Sequence, residues 1–334
     1  MDASCARPRD CYVNKVFLER PDSTEVAMAV VHIDNYCSDE ERRERIFAGD
    51  IFIYSPTKAA QELISHARQM IEEGFAPRDP EKAQYDMDVT DYATLLGRLK
   101  PAFIHHPRSK QLVAQIITSL GGNPNKTYFD VPKMRSSTSD AYLTTGIALA
   151  FPPHRDTWYS APFFQINWWT PIYEITIDNG MAFYPRHFEE PIANNSEVYN
   201  YYRWNMTRAQ AHLDLSGGGA RVAPEAQAPV GDSPDARYVV PPGGLILFSA
   251  AQLHASLPNH SGRTRFSIDF RTIHFDEVLS GNGAKNIDSA CTGTALRDFM
   301  RCTDHALLPE ELVKPYDSGD QSDGILQYNA TISV

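Results

Sequence analysis

Apolar positions change their spacing once along the chain. In the first third, Val26-Ala-Met-Ala-Val-Val-His-Ile33 and Asp50-Ile-Phe-Ile-Tyr54 read as short strands, and Ser55-Pro56 then supplies an N-cap and a first-turn proline. Ala60, Leu63, Ile64, Ala67, Met70, Ile71 and Phe75 follow at steps that place one apolar stripe on a helix ending near Gly74. Leu112, Val113, Ile116, Ile117 and Leu120 repeat the stripe until Gly121-Gly122 stops the helix. Helices between Ser38 and Gly122 are expected to pack on whatever follows.

From Thr127 onward the pattern becomes short β-rich runs with turn residues between them, at 127–131, 141–151, 163–170, 181–184, 238–240, 245–248 and 264–274. This predicts a mainly β fold with flanking helices, whose core is a jelly roll or double-stranded β-helix rather than a set of βαβ units. The expected organisation is one compact unit. Residues 1–125 supply strand and helical support, 126–275 the jelly-roll core, and 276–334 a helical tail with a helix over Thr294 to Arg301. A polar insertion at 188–237, carrying Gly217-Gly-Gly219, is too long for an ordinary connection and predicts a mobile lid. At its start, Tyr199-Asn-Tyr-Tyr-Arg-Trp204 is too aromatic for a free linker and is expected to pack.

Composition narrows the function classes. With 42% hydrophobic and 22% charged residues, the 334-residue chain is an ordinary folded protein. A net charge of -11 argues against nucleic acid as a partner. No run approaches the roughly 18 apolar residues of a membrane helix. The opening Met1-Asp-Ala-Ser-Cys-Ala-Arg-Pro-Arg-Asp10 lacks the apolar core of a signal peptide, so no membrane partner and a cytoplasmic setting are expected. Cys5, Cys11, Cys37, Cys291 and Cys302 are odd in number and form no CxxC pair, which points to free thiols.

Candidate chemistry begins with His154-Arg-Asp156, because residues two apart on a strand face the same way and can share one ion. The triplet alone is weak. Chance supplies about 1.4 His-x-acid triplets in such a chain, and this one also has His32/Asp34, His187/Glu189, His212/Asp214 and His274/Asp276. Only the 154/156 pair is followed by a second histidine in a matching setting: the turn Pro241-Pro-Gly-Gly244, the strand Leu245-Ile-Leu-Phe248, then His254. Beyond it, Arg265-Phe-Ser-Ile-Asp-Phe-Arg271 alternates, with Phe266, Ile268 and Phe270 on one face and Arg265, Ser267, Asp269 and Arg271 on the other. An arginine fork beside a serine hydroxyl suits a small dicarboxylate. His32/Asp34 stands as the second-choice metal pair. His105-His106 is read as structural, since adjacent strand residues face opposite ways.

Two imidazoles and one carboxylate form the facial triad of non-haem Fe(II) oxygenases. Here the sequence resembles the Fe(II)/2-oxoglutarate-dependent oxygenases, most nearly the phytanoyl-CoA dioxygenase-like branch, through His154-x-Asp156, His254 and Arg265-x-Ser267 over roughly Tyr128 to His274. The resemblance implies a dioxygenase with iron on His154, Asp156 and His254, and 2-oxoglutarate meeting Arg265 and Ser267. It implies oxidation of a small molecule with O2 and release of succinate and carbon dioxide. Asp156 departs from the halogenase variant, where a small residue opens that position for halide. Asn167 is a further candidate for 2-oxoglutarate or its iron ligands, since Gln165, Asn167 and Trp169 share one face. Trp158, Arg271, Tyr142 and Gln165 are candidates for the substrate, Arg271 as receptor for a carboxylate on an amino-acid-derived or specialised metabolite; Arg135 is a weaker candidate for the pocket wall. Two rival readings stand beside this one: a metal cupin that uses oxygen without 2-oxoglutarate, and a catalytically silent jelly-roll binding module.

Overall fold

A computed structural model describes residues 13–14, 29–148, 150–206, 223–231, 236–256 and 258–318. The start of the first expected strand, Cys5, Cys11, His212/Asp214, the glycine triplet and the last residues of the tail lie outside these.

The β-rich runs pair into two sheets. The strands are β1 (Val13–Asn14), β2 (Val31–Ile33), β3 (Ile51–Tyr54), β4 (Thr127–Phe129), β5 (Lys133–Ser137) and β6 (Ile166–Pro171). They continue with β7 (Met181–Phe183), β8 (Ala236–Tyr238), β9 (Leu245–Ser249), β10 (His254–Ser256), β11 (Arg265–His274) and β12 (Met300–Arg301). The large sheet runs β1-β2-β3-β9-β6-β11-β4-β12, with β5 also on β11, and the small sheet runs β10-β7-β8. An antiparallel bridge between His154 and His254 adds the segment around residue 154 to the small sheet's edge. From β5 to β11 the chain therefore passes between the sheets in the order large, small, large, small, small, large, small, large. That is the jelly roll expected. The N-terminal strands do not stand apart from it, because β3 pairs with β9 and so extends the large sheet.

Three long helices cover the outer face of that sheet: α2 (Lys58–Phe75), α3 (Val89–His105) and α4 (Pro107–Ser119); the shorter α1 spans Asp39–Phe47. The α2 stripe buries Ala60, Leu63, Ile64, Ala67, Ile71 and Phe75 as its spacing predicts, although Thr57, not Ser55, caps the helix by accepting from the Ala60 amide. Phe266, Ile268 and Phe270 of β11 and Trp168 of β6 join the helices in one apolar cluster. Side chains alternate along a strand, so Arg265, Ser267, Asp269 and Arg271 face the space between the sheets. There they meet the inner apolar lining of Trp169, Phe183, Ile246 and Phe248.

Two expectations need correction. The described residues of 141–151 form no strand: Asp140 and Ala141 take positive φ values of 55° and 57°, and Gly146–Ala148 coil into a 3-10 turn. The strand beside β11 is instead β5, whose Lys-Met-Arg-Ser-Ser pattern is masked by charges paired within the fold. The helix expected over Thr294 to Arg301 is a single 3-10 turn, Leu296–Asp298, after which Met300 and Arg301 satisfy the open edge of β4. The described ends of the 188–237 insertion are packed. Tyr199, Tyr201 and Tyr202 are buried, the Asn200 amide donates to the Thr292 hydroxyl at 2.9 Å, and Arg297 and Asp298 of the tail bond the hydroxyls of Tyr202 and Tyr201.

Phe270 is fully buried and stacks on Trp168 at 5.3 Å between ring centres. Phe270→Ala is predicted to cost roughly 3–5 kcal/mol, read as a fall in the urea unfolding midpoint. A loss below about 1 kcal/mol would contradict this packing.

Candidate metal centre

His154 and His254 sit directly opposite each other, held by reciprocal backbone hydrogen bonds: the His154 amide donates to the His254 carbonyl at 2.9 Å and the His254 amide to the His154 carbonyl at 3.0 Å. This pairing brings the imidazole centres to 4.4 Å. Each ring is then oriented by its own backbone. His154 Nδ1 donates to the Pro152 carbonyl at 2.8 Å and His254 Nδ1 to the Gln252 carbonyl at 2.9 Å. With the proton on Nδ1, each Nε2 carries a free lone pair, the tautomer a metal ligand needs.

Asp156 completes the cluster. It does not lie on a strand with His154 as the spacing suggested, because the chain leaves the sheet after Arg155 and Asp156 opens a 3-10 turn, Asp156–Tyr159. The turn still aims the carboxylate inward: Oδ1 is 3.4 Å from His154 Nε2 and 3.8 Å from His254 Nε2. One ligand atom from each of the three lies within 4.8 Å of the others, and no other such group exists among the described residues. The second carboxylate oxygen is held from behind. Oδ2 accepts from Gln165 Nε2 at 3.4 Å and faces Arg271 Nε at 3.7 Å, while Gln165 also donates to Asn167 Oδ1 at 2.8 Å. The carboxylate is thus preset to offer one oxygen, and three protein atoms share one side of the site.

The electrostatics suit a cation. Burial opposes ionisation of Asp156, but the neighbouring Arg271 charge outweighs it and holds the carboxyl well below its usual range. His254 is pushed down to about 4, chiefly by burial, so it is neutral near pH 7.

The ligand loop is anchored by a residue that sequence reasoning passed over. Arg155, between two ligands, is 1% exposed; its Nη1 donates to the Ala251 carbonyl at 2.5 Å and its Nη2 to the His187 carbonyl at 2.5 Å. Its Nε reaches Asp288 Oδ2 at 3.1 Å, and Asp288 Oδ1 accepts from the Trp158 indole at 2.8 Å. Trp158, expected at a substrate wall, is fully buried with its indole turned to the tail. Tyr142 is also placed elsewhere: its hydroxyl donates to the Met87 carbonyl at 2.8 Å and its ring meets Tyr92 of α3 edge-on. Gln165, also expected at the substrate wall, contacts Asp156.

Deeper between the sheets, Arg265 is 5% exposed and donates through Nη1 to the Asn179 and Gly180 carbonyls at 2.9 and 3.1 Å. Its Nε and the Oγ of fully buried Ser267 have no partner among the described residues. Burial lowers the Arg265 guanidinium to about 10. Arg271 spends its guanidinium on carboxylates, with Nη1 at 3.2 Å from Asp130 and Nη2 at 3.1 Å from Asp269. These carboxylates and Asp156, rather than open space, surround the group expected to receive a substrate carboxylate.

His32, His105 and His106 have structural roles. His32 Nε2 pairs with Asp50 at 2.7 Å while Asp34 turns to Ser55, so the second-choice metal pair does not converge. His105 ends α3 and His106 caps α4 by accepting from the Arg108 amide. Cys37, Cys291 and Cys302 are free thiols.

No protein-family model matches the chain, and no curated protein does. Among solved structures, EvdO2 from Micromonospora carbonacea var. aurantiaca, complexed with 2-oxoglutarate, is similar at a TM-score of 0.41 and 14% identity, over 71% of this chain and 91% of that one. The non-haem monooxygenase ThoJ gives 0.36 and 14%, over 66% and 71%. SnoN, a non-haem alpha-ketoglutarate-dependent epimerase from nogalamycin biosynthesis, gives 0.34 and 12%, over 76% and 95%. Likenesses this distant establish nothing about what this chain does.

Two outcomes test the geometry. Gln165→Ala is expected to weaken Fe(II) binding about 10- to 100-fold in competition with a chelator; unchanged affinity would contradict its bracing role. The second concerns pH. Unfolded His254 takes up its proton near pH 6.5 and the folded residue only near 4, so stability is lost as pH falls through that window. The unfolding temperature of the metal-free protein should fall between pH 7 and 5 more steeply in wild type than in His254→Gln, and equal slopes would contradict the assignment.

Proposed function

We propose that this protein is a non-haem Fe(II)/2-oxoglutarate-dependent oxygenase that uses O2 to oxidise a small, specialised metabolite in the cytoplasm, by hydroxylation, desaturation or oxidative ring closure. The observation that carries the reading is a pair of unpartnered buried polar atoms, Arg265 Nε and Ser267 Oγ, on the same inward strand face that runs to the three metal-ligating side chains. A buried donor without an acceptor is costly, and the far carboxylate of 2-oxoglutarate supplies the acceptor.

His154, Asp156 and His254 would hold the iron, and Arg265 and Ser267 the co-substrate, with Asn167 acting through Gln165 on the Asp156 carboxylate. Iron bound there supplies activation of O2 coupled to decarboxylation of 2-oxoglutarate to succinate. The protein's own contribution is placement. Clamped imidazoles present neutral Nε2 atoms, Arg271 and Gln165 hold Asp156 to one oxygen, and the apolar lining around Trp169 and Phe248 limits water.

A cupin that ignores 2-oxoglutarate leaves Arg265 Nε and Ser267 Oγ unexplained, and a silent binding module leaves the oriented imidazoles unexplained. Anaerobic addition of Fe(II) and then 2-oxoglutarate is expected to give the weak visible charge-transfer band of the chelate. Arg265→Ala should keep the iron and weaken 2-oxoglutarate binding by at least about tenfold, and His254→Ala should lose the iron. Bound iron without any band in wild type would select the cupin, and no bound iron the binding module.

A further inference from the structure

We infer that the substrate is an anion whose acidic group docks on Arg135, with its carbon body lying across Phe151; this rests on the oxygenase reading above. A relay of charges leads outward from the metal ligands: Asp156 to Arg271, Arg271 to Asp269, and Asp269 to Arg135, which it grips at 2.7 and 3.2 Å through Nε and Nη2. Side-chain exposure rises along it, from 13% at Asp156 through 16% at Arg271 and 17% at Asp269 to 38% at Arg135. Arg135 is thus the relay's open end. Its Nη1 has no protein partner among the described residues.

The arginine is also aimed at the reacting region. Its guanidinium carbon lies over the Phe151 ring at 6.0 Å, and that ring is 5.2 Å from the His154 imidazole. Tyr159 stands edge-on to both, at 6.1 Å from Phe151 and 5.5 Å from His154. One flat ring therefore joins the free guanidinium edge to a metal ligand. A planar molecule on Phe151, tethered at Arg135, reaches the metal centre.

Charge counting gives an independent argument. Arg265, Arg271, Arg135, Lys133 and Lys100 form the cationic side of this region, and Asp130, Asp156 and Asp269 the anionic side. Lys100 is pushed down to about 7 by burial, so it is partly charged. Bound iron and doubly charged 2-oxoglutarate cancel, and between one and two positive charges remain. In a chain of net charge -11 that local excess runs against the overall sign. An oxyanion neutralises it in a site of low dielectric, where a charge-assisted bond to a guanidinium is strong.

The test uses full-length protein loaded anaerobically with Fe(II) and 2-oxoglutarate, titrated with phenylacetate, phenyl phosphate and the neutral phenylacetamide while the chelate band is followed. At least one of the two anions should perturb the band saturably, at least about tenfold more tightly than the amide; which one does so separates a carboxylate from a phosphate substrate. Arg135→Gln should abolish the preference with the band intact, and Arg135→Lys should retain much of it. The inference is overturned if wild type shows the band but neither anion perturbs it, if acid and amide bind alike, or if Arg135→Gln keeps the preference. Absence of the band in wild type would instead remove the oxygenase reading beneath it.

Discussion

The reciprocal backbone pairing of His154 with His254 is the constraint from which the site follows. It places two side chains distant in sequence at the same height on neighbouring strands, and so fixes the separation of their rings before any metal is present. The carbonyls of Pro152 and Gln252 then set both tautomers. What remains is to bring one carboxylate to the open side of the pair, and the 3-10 turn after Arg155 does this. Because the cost of orienting these groups is met in folding, metal binding orders little more.

Arg155 and Asp288 extend this constraint outward. Arg155 lies between the ligands, so each of its hydrogen bonds to the His187, Glu190 and Ala251 carbonyls restrains the ligand loop. Asp288 joins that arginine to Trp158 and to the Ile192 amide, which ties the start of the insertion and the C-terminal segment to the turn bearing Asp156. Both parts of the chain that flank the core in sequence are in this way supports of the metal ligands. On the opposite side, the paired charges of Asp130, Asp269 and Arg271 stiffen the carboxylate without occupying its ligating oxygen.

The parts legible in the sequence were those with a period or a local chemical pattern. The alternation of Arg265 to Arg271 separated helix-facing rings from inward polar groups, and the α2 and α4 stripes marked the covering layer. The clustering of the three candidate ligands was legible because His154-x-Asp156 and His254 each have a distinctive neighbourhood. Long-range partners leave no such trace: Arg155 and Asp288 are 133 residues apart, and nothing near either residue announces the other. The same blindness hid the partner of Trp158, whose indole answers to Asp288. β5 was hidden because its alternating residues are charged and only their partners on β11 make them a strand, and β12 because an edge need, not a propensity, extends Met300 and Arg301.

X-ray absorption at the iron edge of the anaerobic Fe(II)-loaded protein tests the central claim most directly. The clamped geometry predicts scattering from two imidazoles and one carboxylate bound through a single oxygen, with the remaining ligands from water. A third imidazole, or a carboxylate bound through both oxygens, would contradict the account, because either requires the pairing of His154 with His254 or the bracing of Asp156 to give way.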